Sequence, residues 1–426
     1  MSTEKKFTPD FNAMINIVMF NSIGFFFLEY LIPVVASIII GASGLQIGLL
    51  FSVQVIGYII SSFFTGFITD KTKSKTRLIL LGSYGRGTAY FILYTALIFN
   101  SLIGIGVGTF SIGFFAGFFW IPFDTLIAEK SRKNNRSEAY GKRDAAMGRG
   151  TVLGAFIGFS IFGFASGYTN NPFLIYIAIL FFGISNFYGG YKFHKNVDES
   201  IKIPIQEENK ILKEKNTLNS SKILGTFTFG LLFLAIVLLL ANINGSLARP
   251  FINVYIVNEI INDATLAMFV YAPSGAISLF LSPKIGRYVD KLHPSIGITI
   301  SSIFGSLVTW VLINIDNAFL FAALLTLDLT IITIGNLAFQ NFLSRVTIKH
   351  RGKIMGFRIV MVNIGTVIGP IIGGIVLDMM GLKAPFIISI FVELSLIPFY
   401  ILSVYLMKGH LTEKYEIREK IEVERI

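Results

Sequence analysis

Apolar stretches long enough to cross a bilayer recur along the whole chain, and they constrain its fold more than any other feature. A transmembrane helix needs roughly 20 consecutive apolar residues. Hydrophobic residues make up 53% of the 426 residues and charged residues only 14%, against about 25% charged in soluble proteins. The sequence therefore predicts an all-α membrane protein with twelve transmembrane helices and no sizeable soluble domain. The twelve stretches are 11–40, 44–69, 77–99, 101–128, 141–166, 172–192, 223–258, 264–288, 295–315, 317–344, 353–380 and 384–407.

The positively charged residues are confined almost entirely to one side of the predicted membrane. Of the 36 Lys and Arg residues, 32 fall in the two terminal segments and in the alternate connections that share their side. Membrane proteins concentrate Lys and Arg in their cytoplasmic loops. We therefore expect a multi-pass protein of the plasma membrane with both termini in the cytoplasm. The net charge of +11 then reflects topology, so we expect the lipid bilayer as a partner and no nucleic acid.

One long polar segment divides the twelve stretches six and six. Its mixed charges are typical of a linker rather than a domain. The sequence thus predicts an N-terminal six-helix bundle, a cytoplasmic linker, a C-terminal six-helix bundle and a cytoplasmic tail, at 1–192, 193–222, 223–408 and 409–426.

The two halves repeat each other in sequence. The run MGRGTVLGAFIG, which begins at Met147, is similar to VNIGTVIGPIIG, which begins at Val362, with matching residues 215 positions apart. A second pair of runs, GFITDK from Gly66 and GRYVDK from Gly286, matches at an offset of 220. In each case the repeat starts on the same side of the membrane, so the halves are predicted to be related by an axis along the membrane normal.

Twelve spans in two parallel halves, with a Gly-x-x-x-Asp-Lys turn after spans 2 and 8, resemble the major facilitator superfamily (MFS) of secondary transporters. The resemblance covers nearly the whole chain. It implies two pseudo-symmetric six-helix bundles around a central cavity, which spans 1, 4, 7 and 10 line. Spans 2, 5, 8 and 11 would form the interface between the bundles, and spans 3, 6, 9 and 12 would stand outside. The turns are Gly66, Asp70 and Lys71 in the first half, and Gly286, Asp290 and Lys291 in the second.

The same resemblance implies a gating role for these two turns. In the superfamily the Asp of the turn interacts with the start of the facing span, which is span 11 for Asp70 and span 5 for Asp290. A carboxylate is stabilised near the positive end of a helix, and it would be released as the inner gate opens. The alternative is an ordinary turn residue. The first turn departs from the family pattern at Lys73 and Ser74.

Spans 5 and 11 carry glycines at every fourth position. Such rows give a helix one smooth face, which favours close helix contact, and we expect that contact across the bundle interface, where Pro370 can add a kink to span 11. The span 11 run also resembles the glycine–proline motif that antiporters of the superfamily carry in span 5, although span 5 itself has Ala155 and Phe159 at the matching places. This resemblance points to efflux. The glycines are Gly150, Gly154, Gly158, Gly365, Gly369 and Gly373.

Four ionisable residues fall one to each span that the resemblance assigns to the cavity: Glu29, Asp124, Arg249 and Asp328. Intramembrane charges are costly and are functional candidates by default. Glu29 and Arg249 are 220 positions apart, the offset of the repeat, and each lies about 15 Å from the outer end of its span at 1.5 Å per residue. We expect them to form a charge pair that protonation of Glu29 breaks. The alternative is a permanent pair that only fixes packing.

The other intramembrane charges leave alternatives open. Asp328 is either a second proton site, because burial disfavours its charged form, or a residue hydrogen-bonded to a neighbouring helix. Asp124 is either a cavity residue or a partner of Arg143 or Lys142 at the cytoplasmic end. Arg86 and Glu393, in spans 3 and 12, favour structural pairing or headgroup contact.

Several chemistries have no residues to support them. The chain has no Cys, its four His fall in cytoplasmic segments, and no Gly-x-x-x-x-Gly-Lys-Ser/Thr phosphate loop is present. We expect no metal, no cofactor and no enzymatic activity. The sequence favours a monomeric secondary transporter that moves a small-molecule substrate by alternating access, coupled to protons, with efflux of amphipathic, drug-like compounds as the first choice. The alternatives are an uptake symporter for a sugar or organic ion, and an uncoupled facilitator or sensor.

Overall fold

The computed structural model describes residues 6–72, 74–132, 135–203, 220–289, 294–345 and 351–408. In these ranges the chain is helical and forms no β-sheet, apart from one isolated bridge between Phe7 and Ser131. The α-helices are Phe11–Ser22, Phe25–Val34, Gly44–Lys71, Lys75–Ile98, Leu102–Glu129, Arg136–Tyr168, Pro172–Ile175, Ala178–Asn196, Ser220–Leu247, Ile252–Tyr255, Ala264–Val289, Pro294–Leu312, Ala318–Arg345, Arg351–Met380 and Ala384–Lys408.

Within the described ranges, nine helical segments are long and apolar enough to cross a membrane. They correspond to nine of the predicted spans; the helices predicted as spans 3, 6 and 8 are not among them. The all-helical membrane fold is therefore confirmed, while the count of twelve spans stays a prediction. The numbers 1–12 are kept for the segments, and the inner face is the one at which Phe11 and Lys408 lie.

The helices of each half pair in the same pattern. Span 1 packs on spans 5 and 6, span 4 on spans 2 and 3, and span 3 on span 6, and the corresponding pairs recur among spans 7–12. The halves meet through span 2 against span 11 and span 5 against span 8. The helix of span 6 continues to Asn196 and that of span 7 begins at Ser220, so both helices extend into the predicted linker. Residues 204–219 and the predicted tail lie outside the described residues.

Spans 1 and 7 are both broken near the middle of the membrane. In span 1 the helix stops at Ser22, and Gly24 has a φ of 104°, a conformation that suits a residue without a Cβ. In span 7 the helix stops at Leu247, and a short 3₁₀ turn with Pro250, which lacks an N–H donor, follows. Each span then ends in a π-helix, Val35–Ile39 and Ile256–Ile261. The sequence predicts both spans as continuous, so the two breaks correct that prediction.

The glycine rows of spans 5 and 11 pack against spans 1 and 7 of their own halves. A Cβ on Gly150 would overlap the carbonyl oxygen of Met19, and one on Gly369 would lie 2.5 Å from that of Ile243. The prediction of close helix contact at these glycines therefore needs a correction, because the contacts lie within each half rather than across the interface. Gly154, Gly158, Gly365 and Gly373 approach span 1 or span 7 in the same way.

Close contact between the halves comes from other small residues. In span 2, a Cβ on Gly48 would overlap the carbonyl oxygen of Pro370 in span 11. One turn further out, Gly44 lies against Gly374 of span 11. The span 11 helix continues through Pro370, and this stretch of span 11 is the part that meets the other half.

Candidate functional site

The centre of the molecule contains an ion pair that joins the two halves. Nη2 of Arg249 lies 2.7 Å from Oε1 of Glu29. Glu29 follows the break in span 1, and Arg249 begins the 3₁₀ turn at the break in span 7. Asn253 adds a hydrogen bond of 2.9 Å from Nδ2 to the carbonyl oxygen of Glu29. The Arg249 side chain is 64% exposed although it lies at mid-span. We take this exposure to mean that the pair faces the open space between the bundles.

Aromatic rings from both halves pack beside this ion pair. Phe26 stacks on Tyr271 of span 8 with ring centroids 4.8 Å apart, and Tyr30 stacks on the same ring at 5.7 Å. The Tyr30 hydroxyl donates a hydrogen bond to the carbonyl oxygen of Ala264. The pair is therefore bordered by an apolar, aromatic surface.

The two halves are joined at the outer face. Among the described residues, hydrogen bonds between the halves occur around the central ion pair and in the outer part of the interface. Ser52 Oγ donates to the carbonyl oxygen of Val367 at 2.7 Å, and the hydroxyls of Ser166 and Thr265 lie 2.8 Å apart. Toward the inner face, a Cβ on Gly66 would meet no atom within 4 Å. The described residues thus show a conformation closed at the outer face.

Asp124 and Asp328 do not join the central pair. Asp124 Oδ1 accepts a 2.6 Å bond from Nη1 of Arg143, near the inner face, which is one of the two alternatives stated for it. Asp328 Oδ1 accepts a 3.0 Å hydrogen bond from the Thr309 hydroxyl of span 9. Of the four predicted cavity charges, the structure brings together Glu29 and Arg249.

The predicted gating turns are described only in part. Lys71 is the last residue of the span 2 helix and is exposed. Asp290 and Lys291 lie outside the described residues, as do the side chain of Asp70 and the surroundings of Gly286.

Each half also contains a polar cluster. The sequence favours structural pairing for Glu393 but does not predict the partners found here. In the first half, the Ser83 hydroxyl bonds to Asn21 Oδ1 at 2.9 Å and to the carbonyl oxygen of Asn186 at 2.7 Å. In the second half, Glu393 accepts from Asn244 Nδ2 at 3.0 Å and from the Ser302 hydroxyl. Each cluster joins three spans of one bundle, which are spans 1, 3 and 6 in the first and spans 7, 9 and 12 in the second.

Arg86 lies one turn from Ser83 and is fully buried. Its guanidinium nitrogens make no hydrogen bond of good geometry in the described part of the chain. The Tyr90 hydroxyl is the polar group beside them, and the Arg86 Cζ lies 4.9 Å from the centroid of the Phe25 ring. Phe25 is the first residue after the break in span 1. The buried cation thus lies next to the break.

A further ion pair lies at the inner face, outside the spans. The ammonium of the fully buried Lys130 contacts Asp10 Oδ2 at 2.7 Å and the carbonyl oxygens of Asp198 and Ile201 at 2.6 and 2.9 Å. Burial opposes the charged form of Asp10, but hydrogen bonds from Lys130, Thr8 and the Asp198 amide outweigh it and lower the pKa of the Asp10 carboxyl below its ordinary value. No group of His, Cys, Asp and Glu among the described residues could hold a metal ion.

Comparisons with known proteins place this geometry in a family. A model of the Major Facilitator Superfamily matches residues 14–347, whereas no curated protein matches the chain. Among solved structures, a bacterial homologue of the human lysosomal transporter Spinster, inward-facing and unoccupied, has a TM-score of 0.69 at 13% identity and covers 93% of this chain and 95% of that one. The nucleoside transporter NupG has a TM-score of 0.64 at 12% identity, covering 95% and 100%. A POT family transporter in complex with a peptide has a TM-score of 0.68 at 12% identity, covering 93% and 96%.

Identities this low show a shared fold alone. The family match, in contrast, spans more than half of the chain. The protein therefore belongs to the Major Facilitator Superfamily and is a membrane transporter rather than an enzyme.

Proposed function

We propose that this protein is a proton-coupled secondary transporter that exports amphipathic, drug-like compounds by alternating access. The observation that carries the proposal is the ion pair between Glu29 and Arg249. It joins the two halves where both cavity-lining spans are broken. Broken spans near mid-membrane are typical of substrate and ion sites in secondary transporters.

Protonation of Glu29 is the coupling step in this proposal. A neutral carboxyl no longer attracts the guanidinium, so the attraction between the halves at the centre weakens and the outer face can open. Loss of the proton restores the pair and favours the conformation described here. A ligand shifts such an equilibrium only through its different affinity for the two conformations, so the proposal requires that protonation of Glu29 and opening of the pair occur together.

The surroundings of the pair support an amphipathic substrate. Phe26, Tyr30 and Tyr271 offer aromatic faces beside one acidic and one basic group. Aromatic rings favour apolar and cationic groups. The glycine–proline motif in span 11 resembles that of antiporters of the superfamily, and it favours export as the direction of transport.

Uptake of a polar nutrient is the second candidate. It is favoured by similar folds described as a nucleoside transporter and as proton dependent oligopeptide transporters, at TM-scores of 0.64 and 0.63. An ion pair open to the cavity also suits a solute that carries both charges.

We place the protein in the plasma membrane as a monomer with both termini in the cytoplasm, on the distribution of Lys and Arg. The turns at Gly66, Asp70 and Lys71, and at Gly286, Asp290 and Lys291, would close the inner gate when the outer face opens.

Proton flux in proteoliposomes tests the coupling. Purified protein is reconstituted with a pH-sensitive dye inside, and a panel of amphipathic cations, nucleosides and dipeptides is added outside. We expect at least one solute to drive proton flux in wild type and none to drive it in Glu29→Gln. Glu393→Gln is the matched control, because it neutralises an intramembrane acid whose partners lie in one half, and it should retain coupling.

The other outcomes separate the alternatives. Solute flux without proton flux in wild type would identify an uncoupled facilitator, and no flux for any solute would favour a sensor. If solutes still drive proton flux in Glu29→Gln, the ion pair is not the coupling site and only fixes the packing of the two halves. Coupled nucleoside or dipeptide flux, with none for amphipathic cations, would favour uptake.

A further inference from the structure

The start of span 2 is held by an acid from the other half of the molecule. The first N–H groups of a helix have no partner within it. Here Ser43 and Gln46 satisfy each other in a capping box. The two amides between them, those of Gly44 and Leu45, donate instead to Oδ1 and Oδ2 of Asp378 at 2.6 and 2.9 Å.

The packing around Asp378 requires the two spans to touch. A Cβ on Gly44 would lie 2.6 Å from the carbonyl oxygen of Gly374 and 2.9 Å from Oδ1 of Asp378. A Cβ on Gly374 would overlap the carbonyl oxygen of Gly44. Spans 2 and 11 are therefore in backbone contact at this point, and the carboxylate reaches the two amides only because of that contact.

The facing interface, between spans 5 and 8, is built differently. The start of span 8 is capped from its own half, since Asp263 Oδ1 accepts from the amides of Thr265 and Leu266 at 2.7 and 2.9 Å. At the repeat offset of 215, the position of Asp378 corresponds to Gly163 in span 5. Asp378 thus has no acidic counterpart at the interface between spans 5 and 8, because Gly163 occupies the equivalent position.

We infer that Asp378 is a gating residue of the outer face, whose carboxylate holds span 2 against span 11 in the outward-closed conformation. Alternating access requires these spans to separate when the outer face opens, and the separation removes the acceptor from both amides. Charge-assisted hydrogen bonds at a helix N-terminus are among the stronger polar contacts. Asp378 therefore stabilises one of the two conformations specifically. The inference rests on the alternating access of the proposed function and goes beyond it, because it requires neither a substrate nor a proton gradient.

Distance measurements between spin labels test this inference directly. The chain contains no Cys, so Asn170→Cys and Asp316→Cys introduce two labels only, in exposed outer connections of opposite halves. In wild type in lipid nanodiscs, without substrate, we expect a distribution dominated by the short, outward-closed distance. Asp378→Asn, which keeps the side-chain size and removes the charge, should raise the ratio of long to short distances about tenfold.

Asp263→Asn is the matched control. It weakens a helix cap of the same kind whose acceptor and donors lie in one half. Because the capped Thr265 also contacts Ser166 of the other half, we expect at most a small shift of the distance distribution, well below that of Asp378→Asn. Asp378→Ser is a second test variant for which we expect the same shift as for Asp378→Asn. The inference is overturned if folded Asp378→Asn or Asp378→Ser protein retains the wild-type distribution, or if Asp263→Asn shifts it equally.

Discussion

Arg86 is a fully buried cation, and no acid faces it in the described part of the chain. Its guanidinium contacts the face of Phe25, a contact worth about 0.5–2 kcal/mol. Removing a charge from water costs several kcal/mol after relaxation. The Phe25 contact and the neighbouring Tyr90 hydroxyl are weaker than this cost, so we expect Arg86 to lower the stability of the conformation described here.

Substituting Arg86 tests this balance. We expect Arg86→Met, which retains much of the side-chain volume, to raise the thermal unfolding midpoint of the purified protein, because it removes the buried charge. Lys383→Met, which removes an exposed cation, should leave the midpoint unchanged. A marked fall in the midpoint for Arg86→Met would mean that an anion compensates Arg86.

The inner-face pair of Lys130 and Asp10 makes a pH-dependent prediction. The pKa of Asp10 in the folded protein lies below its ordinary value of 3.8, so the stabilisation is fully present above that value and is lost as the pH falls through the folded-state pKa. Hydrogen exchange of the Asp198 amide, which donates to Asp10 Oδ2, reports this loss. After correction for intrinsic exchange, its protection should be constant from about pH 7 to 5 and should fall below about pH 4.

Asp10→Asn should lower the protection of the Asp198 amide at neutral pH and remove its pH dependence. Asp316→Asn, in an exposed connection, should leave both unchanged. Protection that stays constant down to pH 2 in wild type would contradict the assignment.

The helices themselves followed from the sequence more readily than their interruptions did. Apolar length predicted the bounds of the spans to within a few residues for most of them, and the offset of 220 predicted which acid faces which base. The break at Gly24 was not predictable from composition, because Gly24 is one of 40 glycines. Its φ of 104° within a span distinguishes it, since the other described glycines with positive φ, Gly41 and Gly381, lie in the outer connections. The partners of the glycine rows were missed for a related reason, since a smooth helix face does not specify which helix covers it.

The break in span 1 can be tested at Gly24 itself. A Cβ there would lie 2.8 Å from the Phe182 ring and 3.1 Å from the Tyr90 hydroxyl, in a backbone conformation that L residues rarely adopt. Gly24→Ala should therefore destabilise the protein by more than the roughly 1–2 kcal/mol of the backbone conformation alone. Gly41→Ala isolates that backbone cost, because Gly41 has a φ of 72° and nothing within 4 Å. Unfolding in denaturant measures both variants, and equal losses would refute the steric contribution of Phe182 and Tyr90.

At the scale of the whole molecule, the outer closure depends on a few backbone contacts between spans 2 and 11. Gly44, Gly48 and Ser52 meet span 11 at successive turns of the same helix face. Toward the inner face, Gly66 has open space instead. Rocking of the two bundles would transfer close packing from the outer to the inner part of span 2. The resemblance of the turn at Gly66 to the superfamily turn indicates the inner contact from sequence, whereas the outer contact has no comparable motif in this chain.

Two alanine substitutions in span 2 test whether its outer and inner parts act as separate gates. Gly48→Ala would force a Cβ into the carbonyl oxygen of Pro370, so we expect it to separate spans 2 and 11 and to lengthen the distance between labels at positions 170 and 316. Overpacking of this kind typically costs about 1–3 kcal/mol, enough to shift the population severalfold.

Gly66→Ala should leave that outer distance unchanged, because nothing in this conformation lies within 4 Å of the added Cβ. If the inner part of span 2 closes against span 11 in the outward-open conformation, Gly66→Ala should still slow transport. Equal effects of the two substitutions on the outer distance would show that span 2 does not divide into an outer and an inner gate.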